Sequence, residues 1–342
     1  RMRAAVFYGK GDIRTEDYEL RPLQDGEVLV KVMACGVCGT DLHIFAGAKG
    51  AAECTPPTIL GHEFAGEIAE VGSGVTRVKK GDRVCVNPND ACGSCYYCQT
   101  GKEHFCEHMK GIGTTMNGGF AQYCIIPETQ AYKIADGLEF CEGAMTEPTA
   151  CCLNGIDRAN IKAGSHVLII GGGTIGQLML RLAKIAGAAT VSLIEPTPWK
   201  RELTLKTGAF MAFAPDAEDI TGELKAAGVY NLDVVIECVG LKSTMEQAIE
   251  LAGNAATVVL FGLTDPDAVM GVKPYDIFRK ELTVTSSYIN PYTHARAVDL
   301  LSSGTLKVRD LITDEVSIEN IEEVFNNKEY RTHGKIVICP WK

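Results

Sequence analysis

The sequence has no excess of basic residues. Its 33 Lys and Arg face 43 Asp and Glu, a formal net charge of −10 over 342 residues. Such a chain offers no positive surface to follow a phosphate backbone, which excludes nucleic acid as a partner. Also missing is any apolar run near the ~18 residues that a membrane span requires. The opening Arg1-Met2-Arg3-Ala4 lacks the apolar core of a signal peptide. These absences predict a cytoplasmic protein with no membrane partner. Internal repeats and low-complexity tracts are absent as well.

Cysteine, by contrast, is plentiful, with fourteen in the chain. Thiols in a cytosolic protein stay reduced, so metal ligation, catalysis or core packing must account for them. Glycine is in excess too: 36 residues, against ~7% in an average protein.

Two periodicities divide the chain. Up to about residue 150, the stretches Glu27–Val32, Glu67–Val71, Asp82–Val86 and Phe120–Ile126 alternate apolar and polar residues between glycine turns. That pattern predicts strands of a barrel-like all-β body. Beyond it, His166–Ile170, Val191–Ile194, Asp233–Ile236 and Thr257–Phe261 are short continuous apolar runs separated by helix-length segments. Strands buried on both faces and alternating with helices predict a doubly wound parallel sheet. After about residue 287 the pattern is mixed again and ends in Lys335–Ile338.

Gly171-Gly172-Gly173-Thr174-Ile175-Gly176 fits G-x-G-x-x-G, follows a predicted buried strand and opens a predicted helix. In that context its glycines permit a tight turn, a close approach of backbone to pyrophosphate, and helix–strand packing. The helix N-terminus adds unpaired N–H groups and a positive dipole end. Glu195 ends the next predicted strand, where the fingerprint has an acid for the ribose hydroxyls. A carboxylate there repels a 2′-phosphate and favours NAD over NADP. An ordinary solvated acid is the alternative, and nearby Lys200 and Arg201 leave room for NADP. The loops after later strand ends, around Val239-Gly240, Phe261-Gly262-Leu263 and Ser287-Tyr288-Ile289, are expected to hold the cofactor.

Cys92, Cys95, Cys98 and Cys106 form C-x2-C-x2-C-x7-C. Four thiolates so close suit a closed tetrahedral zinc, whose role is structural because no position is open. An iron–sulfur cluster is the competing use of this spacing. Cys35, three residues before Cys38, is assigned to packing because nothing around it resembles a redox motif.

Taken with Cys38-Gly39-Thr40-Asp41, Gly61-His62-Glu63-Phe64-Ala65-Gly66 and the terminal Gly334-Lys335, these motifs resemble the zinc-dependent medium-chain dehydrogenases. The likeness is to their sorbitol (polyol) and threonine dehydrogenase branch and runs over essentially the whole chain. It implies α/β plus β: a GroES-like β-barrel catalytic domain over 1–150, with a structural zinc lobe at about 88–110. A Rossmann NAD-binding domain follows over 151–287, and 288–342 returns to complete the catalytic domain. By this resemblance Cys38, His62 and Glu147 bind a catalytic zinc, Cys151 and Cys152 only pack, and Glu63 orients the site or enters the zinc shell. Thr40 and His43 carry a proton path; a helix cap and a surface residue are the alternatives for them. Lys335 is a contact to cofactor phosphate or ribose, or else a solvated lysine. Asn290–His294 either touches substrate or turns into a helix.

The resemblance therefore implies two zinc ions per chain, NAD, and a homotetramer or dimer. The expected reaction is oxidation of a secondary alcohol, a polyol or sugar alcohol first, to the ketone. L-threonine 3-dehydrogenase or a general secondary-alcohol dehydrogenase is the alternative. A zinc- and nucleotide-binding protein that has lost catalysis is the reading from another class.

Overall fold

The computed structural model describes residues 1–48 and 52–342. Two compact units account for them: Arg1–Ala150 together with Asn290–Lys342, and Cys151–Ile289.

The first unit is mainly antiparallel. Its larger sheet orders Ala131–Lys133, Arg83–Val86, Glu63–Val71, Glu27–Gly36, Lys335–Cys339 and Ile312–Ser317, with Tyr123–Pro127 also paired to Glu27–Gly36. In Glu27–Gly36 the residues Val28, Val30 and Val32 are fully buried, and the residues between them are half-exposed. That alternation is the physical content of the period-2 pattern. A smaller sheet of Asp12–Tyr18, Met2–Gly9 and Thr58–Ile59 completes the unit. Phe64, Ile68, Phe120 and Ile126 belong to one apolar core with Val6 and Ile59.

The strand expected at Phe120–Ile126 begins later, at Tyr123. The N–H groups of Gly118, Gly119 and Phe120 go instead to the carbonyls of Ile59, Gly61 and Leu60. The returning chain is integral to the unit: Lys335–Cys339 pairs Val337 with Gly36 and Ile338 with Cys35. Its other edge runs parallel to Ile312–Ser317.

The second unit is a six-stranded, all-parallel sheet. Its order is Ala212–Phe213, Thr190–Ile194, His166–Ile170, Val234–Glu237, Thr257–Leu260, Thr283–Ser286. This is the doubly wound dinucleotide-binding order, whose ligand crevice lies at the carboxyl ends of the central strands. Val167, Leu168 and Ile169 are fully buried, as a strand covered on both faces must be. The two edge strands escape the sequence pattern for opposite reasons. Ala212–Phe213 is only two residues long, and Thr283–Ser286 is polar and largely exposed. Among the described residues no helix is long and apolar enough to cross a membrane.

If the returning strand is part of the first core, Ile338→Ala should cost roughly 2–5 kcal/mol of stability, read by denaturant unfolding. A change within experimental error would detach this strand from the core.

Candidate functional site

Strand register builds the first site. Glu27–Gly36 and Glu63–Val71 are antiparallel neighbours with Gly36 opposite Glu63. The residues just past these ends, Cys38 and His62, are thereby brought together. Donor atoms of Cys38, His62 and Glu63 all lie within 4.8 Å of one another. Gly36 is required here, since a Cβ on it would sit 2.5 Å from Glu63 Oε2.

Asp41 organises this cluster and is wholly buried. Its Oδ2 accepts the Cys38 N–H at 2.9 Å, closing the first turn of helix Gly39–Phe45 with Cys38 as N-cap. Its Oδ1 faces His62 Nδ1 at 3.4 Å. The two atoms face each other without a formed hydrogen bond, and Nε2 is the nitrogen left for a Lewis acid, as in the carboxylate–histidine arrangement behind a metal. In the sequence the only signal of this role is the three-residue spacing from Cys38 to Asp41, that of a capping box.

The electrostatics pair buried acids with buried cations. Burial opposes a charge on His62, but Asp41 and Cys38 outweigh it and raise its pKa well above the ordinary value. Burial likewise opposes the charge on Lys335, and Glu63 and Cys38 again prevail and raise it. Lys335 is buried, ion-paired with Glu63, and donates to the Val37 carbonyl at 3.0 Å. It is therefore not a solvated lysine. Glu147 is also buried, in the first turn of helix Thr146–Ala159, and its charge reaches Lys335. It is not among the three clustered donors. Thr40 is half-buried and is not the helix cap, while His43, one turn on, is exposed.

The second cluster is Cys92, Cys95, Cys98 and Cys106, with their sulfurs also within 4.8 Å of one another. Backbone N–H groups point at these sulfurs: Ser94 and Cys95 to Cys92, and Cys92 and His108 to Cys106. The Ser94 hydroxyl, aided by these amides, pulls the Cys92 thiol down to about 6. Cys95 is lowered too, whereas burial and the neighbouring thiols push Cys98 up to about 12; it is the convergence of four sulfurs that fits a tetrahedral metal.

The third constellation lies in the parallel-sheet unit. Gly171 has φ +106°, and a Cβ on Gly176 would meet the Gly171 carbonyl oxygen at 1.8 Å. The turn therefore needs glycine at both positions, with Gly173 as N-cap of helix Thr174–Ile185. Glu195 is buried; its carboxylate accepts the N–H of Gly172 at 3.1 Å and of Thr197 at 2.6 Å. Gln177 ties the Gly172 carbonyl to the Thr204 hydroxyl. The cradle fits a pyrophosphate, with Glu195 at its rim. Arg201 is turned to the carbonyls of Glu195 and Pro196. Gln177 is not legible as a site residue, because a helical amide has no distinctive spacing.

Asn290–His294 turns out to be a tie within the first unit. Asn290 bonds with Asn87 and Asn89, and Thr293 donates to the Ala150 carbonyl. His294 opens helix His294–Ser302, lies at a tilt against the Tyr132 ring and faces Cys85, and burial pushes its pKa down to about 3. Cys35 and Cys152 are buried and Cys151 is half-buried.

Residues 24–136 match the alcohol dehydrogenase GroES-like domain, and residues 174–303 match the zinc-binding dehydrogenase domain. D-arabinitol dehydrogenase 1 of Uromyces fabae is 33% identical over 98% of this chain and 97% of its own length. L-threonine 3-dehydrogenase of Pyrococcus horikoshii is 34% identical over 91% of this chain and 90% of its own. A crystal structure from Sinorhizobium meliloti 1021, described as a zinc-binding dehydrogenase bound to NADP, superposes with a TM-score of 0.95. It is 38% identical, over 99% of both chains.

Two outcomes check the metal assignments. Asp41→Asn should weaken metal binding at the Cys38–His62 centre by about 10- to 100-fold, measured by competition with a chromophoric chelator; unchanged affinity would contradict the role given to Asp41. Cys106→Ser should remove the lobe's metal and leave the other, read by elemental analysis of the purified protein.

Proposed function

Because the chain belongs to the zinc-dependent medium-chain dehydrogenase/reductase family, we propose that it oxidises a small secondary alcohol to the ketone with NAD. L-threonine and simple secondary alcohols are the first substrates to try. The observation that carries this is the convergence of half-buried Cys38 with buried His62 and Glu63. The sugar-alcohol reading rests on Glu147 and has less support. Relatives named for D-arabinitol and for L-threonine match at nearly equal identity, so identity does not favour a polyol.

Zinc at this centre would supply Lewis acidity, making the alcohol's hydroxyl proton easier to lose. The nicotinamide would serve as hydride acceptor. The protein's part is to hold the centre and move the proton. Cys38 and His62 are fixed by Asp41, with Glu147 proposed as third ligand. Glu63 is the adjacent acid, restrained by Lys335, which keeps one further N–H for a phosphate or ribose of the cofactor. Thr40 and His43, three residues apart on one helix, order a proton path from a half-buried hydroxyl to an exposed imidazole.

In the other unit, the Gly171–Gly176 turn with Thr174 and Ile175 would receive the pyrophosphate. Glu195 keeps free lone pairs for ribose hydroxyls and would disfavour a 2′-phosphate. The NADP held by the Sinorhizobium meliloti relative makes that preference worth measuring. The four-cysteine lobe would hold structural zinc. The same reading carries a cytoplasmic homo-oligomer, a tetramer or dimer.

The test is metal content with turnover on one preparation. Two zinc ions per chain are expected, with NAD reduced faster by L-threonine or butane-2,3-diol than by D-arabinitol or sorbitol. One zinc and no turnover on any of these would overturn the reading and favour a protein that has lost catalysis. Glu195→Ala should raise the use of NADP relative to NAD; equal use by the unaltered protein would remove Glu195 from its role.

A further inference from the structure

Glu147 is the second residue of helix Thr146–Ala159, is buried, and is followed by Pro148. A residue before proline is disfavoured in the helical conformation, because the proline ring crowds its backbone. Local preference therefore works against the turn that carries Glu147, and contacts from elsewhere must hold it. Residues 146–150 of this helix belong to the first unit.

Two contacts from the returning chain bracket that turn. The Thr293 hydroxyl donates to the Ala150 carbonyl at 2.7 Å, and both residues are buried. Thr293 is the N-cap residue of helix His294–Ser302, yet its side chain makes no capping bond. A threonine in that position ordinarily accepts an N–H of its own helix; this hydroxyl is committed to a different helix. Beside it, His294 Nε2 faces the Cys85 thiol at 3.6 Å, and the Thr146 hydroxyl is a hydrogen-bonding neighbour of the same thiol. Thr146 in turn donates to the Gly143 carbonyl at 2.7 Å. The contacts thus fall on both sides of Glu147, at Thr146 and at Ala150.

The segment that makes these contacts is itself firmly held. Asn89 donates to Asn290 Oδ1 at 2.6 Å, and Asn290 donates to Asn87 Oδ1 at 3.2 Å. Gln130 donates to the carbonyls of Asn87 and Asn89. The Tyr292 N–H reaches Glu103 Oε1 at 3.2 Å, and Tyr292 has φ +58°, a left-handed conformation uncommon for such a side chain. Strand Arg83–Val86, which carries Cys85, pairs with Glu63–Val71 and sets Cys85 opposite Ala65. The turn of Glu147 is thereby referred to the strand that begins at Glu63. Glu147 also acts electrostatically on Lys335, the partner of Glu63, so its carboxylate is near that centre.

We propose that Thr293 is a positioning residue, assisted by His294 through Cys85, which holds the first turn of helix Thr146–Ala159 so that Glu147 reaches a metal bound by Cys38 and His62. The proposal rests on the reading of Glu147 as third ligand given above.

The probe is Co2+ in place of zinc in the full chain, whose visible absorption reports the ligands around it. The contribution of the four-cysteine lobe is removed by subtracting the spectrum of Cys38→Ser. Zn2+ affinity at the same centre is measured by competition with a chromophoric chelator, and thermal unfolding gives the stability of each variant. Glu147→Gln should change the Co2+ spectrum and weaken Zn2+ binding. Thr293→Val should change the spectrum in the same direction and weaken Zn2+ binding by about tenfold, while the lobe keeps its metal. Thr293→Ser retains the hydroxyl and should keep the wild-type spectrum and affinity. Cys85→Ala should give a smaller change in the same direction, and it carries the test if Thr293→Val does not fold.

Wild-type spectrum and affinity in Thr293→Val, while Glu147→Gln departs from both, overturn the proposal even if stability falls. An equal loss in Thr293→Ser does so too, as do wild-type values in Cys85→Ala where Thr293→Val is unfolded. If Glu147→Gln itself matches the wild type, the reading of Glu147 as a ligand fails, and this inference with it.

Discussion

The candidate metal centre depends on one buried carboxylate. Asp41 accepts the Cys38 N–H with one oxygen and faces His62 Nδ1 with the other. It therefore couples two donors that lie 24 residues apart in the sequence and that strand pairing alone brings only into the same neighbourhood. Register supplies proximity, and Asp41 supplies orientation. Asp41 and Glu63 are offset by His62 and Lys335, whose pKa values they raise, while burial raises the Cys38 thiol and opposes its ionisation.

The same device recurs in the other unit with different partners. Glu195 and Glu237 are both buried acids at strand ends, and both are satisfied by loop amides. A buried carboxylate is tolerated only when donors converge on it, so each one rigidifies the loop that provides them. Here the loops concerned are those where the doubly wound order locates its ligand crevice. These hydrogen bonds fix the loops themselves, so both positions call for a buried acceptor.

How much was legible in the sequence follows from how local each feature is. The four-cysteine lobe lies within fifteen residues and the glycine turn within six, so spacing alone exposes both. Buried parallel strands announce themselves as apolar runs, and the alternating strands of the first unit do so by period. Asp41, Gln177 and Glu237 were opaque because their tasks are assigned by register and by amides distant in sequence. Lys335 is the sharpest case: a terminal Gly-Lys pair says nothing of an ammonium buried against Glu63. The Asn290–His294 segment, polar enough to suggest substrate contacts, instead ties the returning chain to Asn87, Asn89 and Ala150. The family resemblance named residues for the centre; the physical reason they work together came from the packing.

The central claim is that a carbinol hydrogen leaves as hydride to a nicotinamide cofactor at the Cys38–His62 centre. The most direct measurement uses a secondary alcohol deuterated at its carbinol carbon, with NAD in ordinary water and mass analysis of the reduced cofactor. One deuterium in each reduced nicotinamide is expected, and none after a chelator has stripped the metal. Reduced cofactor carrying only solvent hydrogen, or deuterium transfer that persists without metal, would contradict the claim.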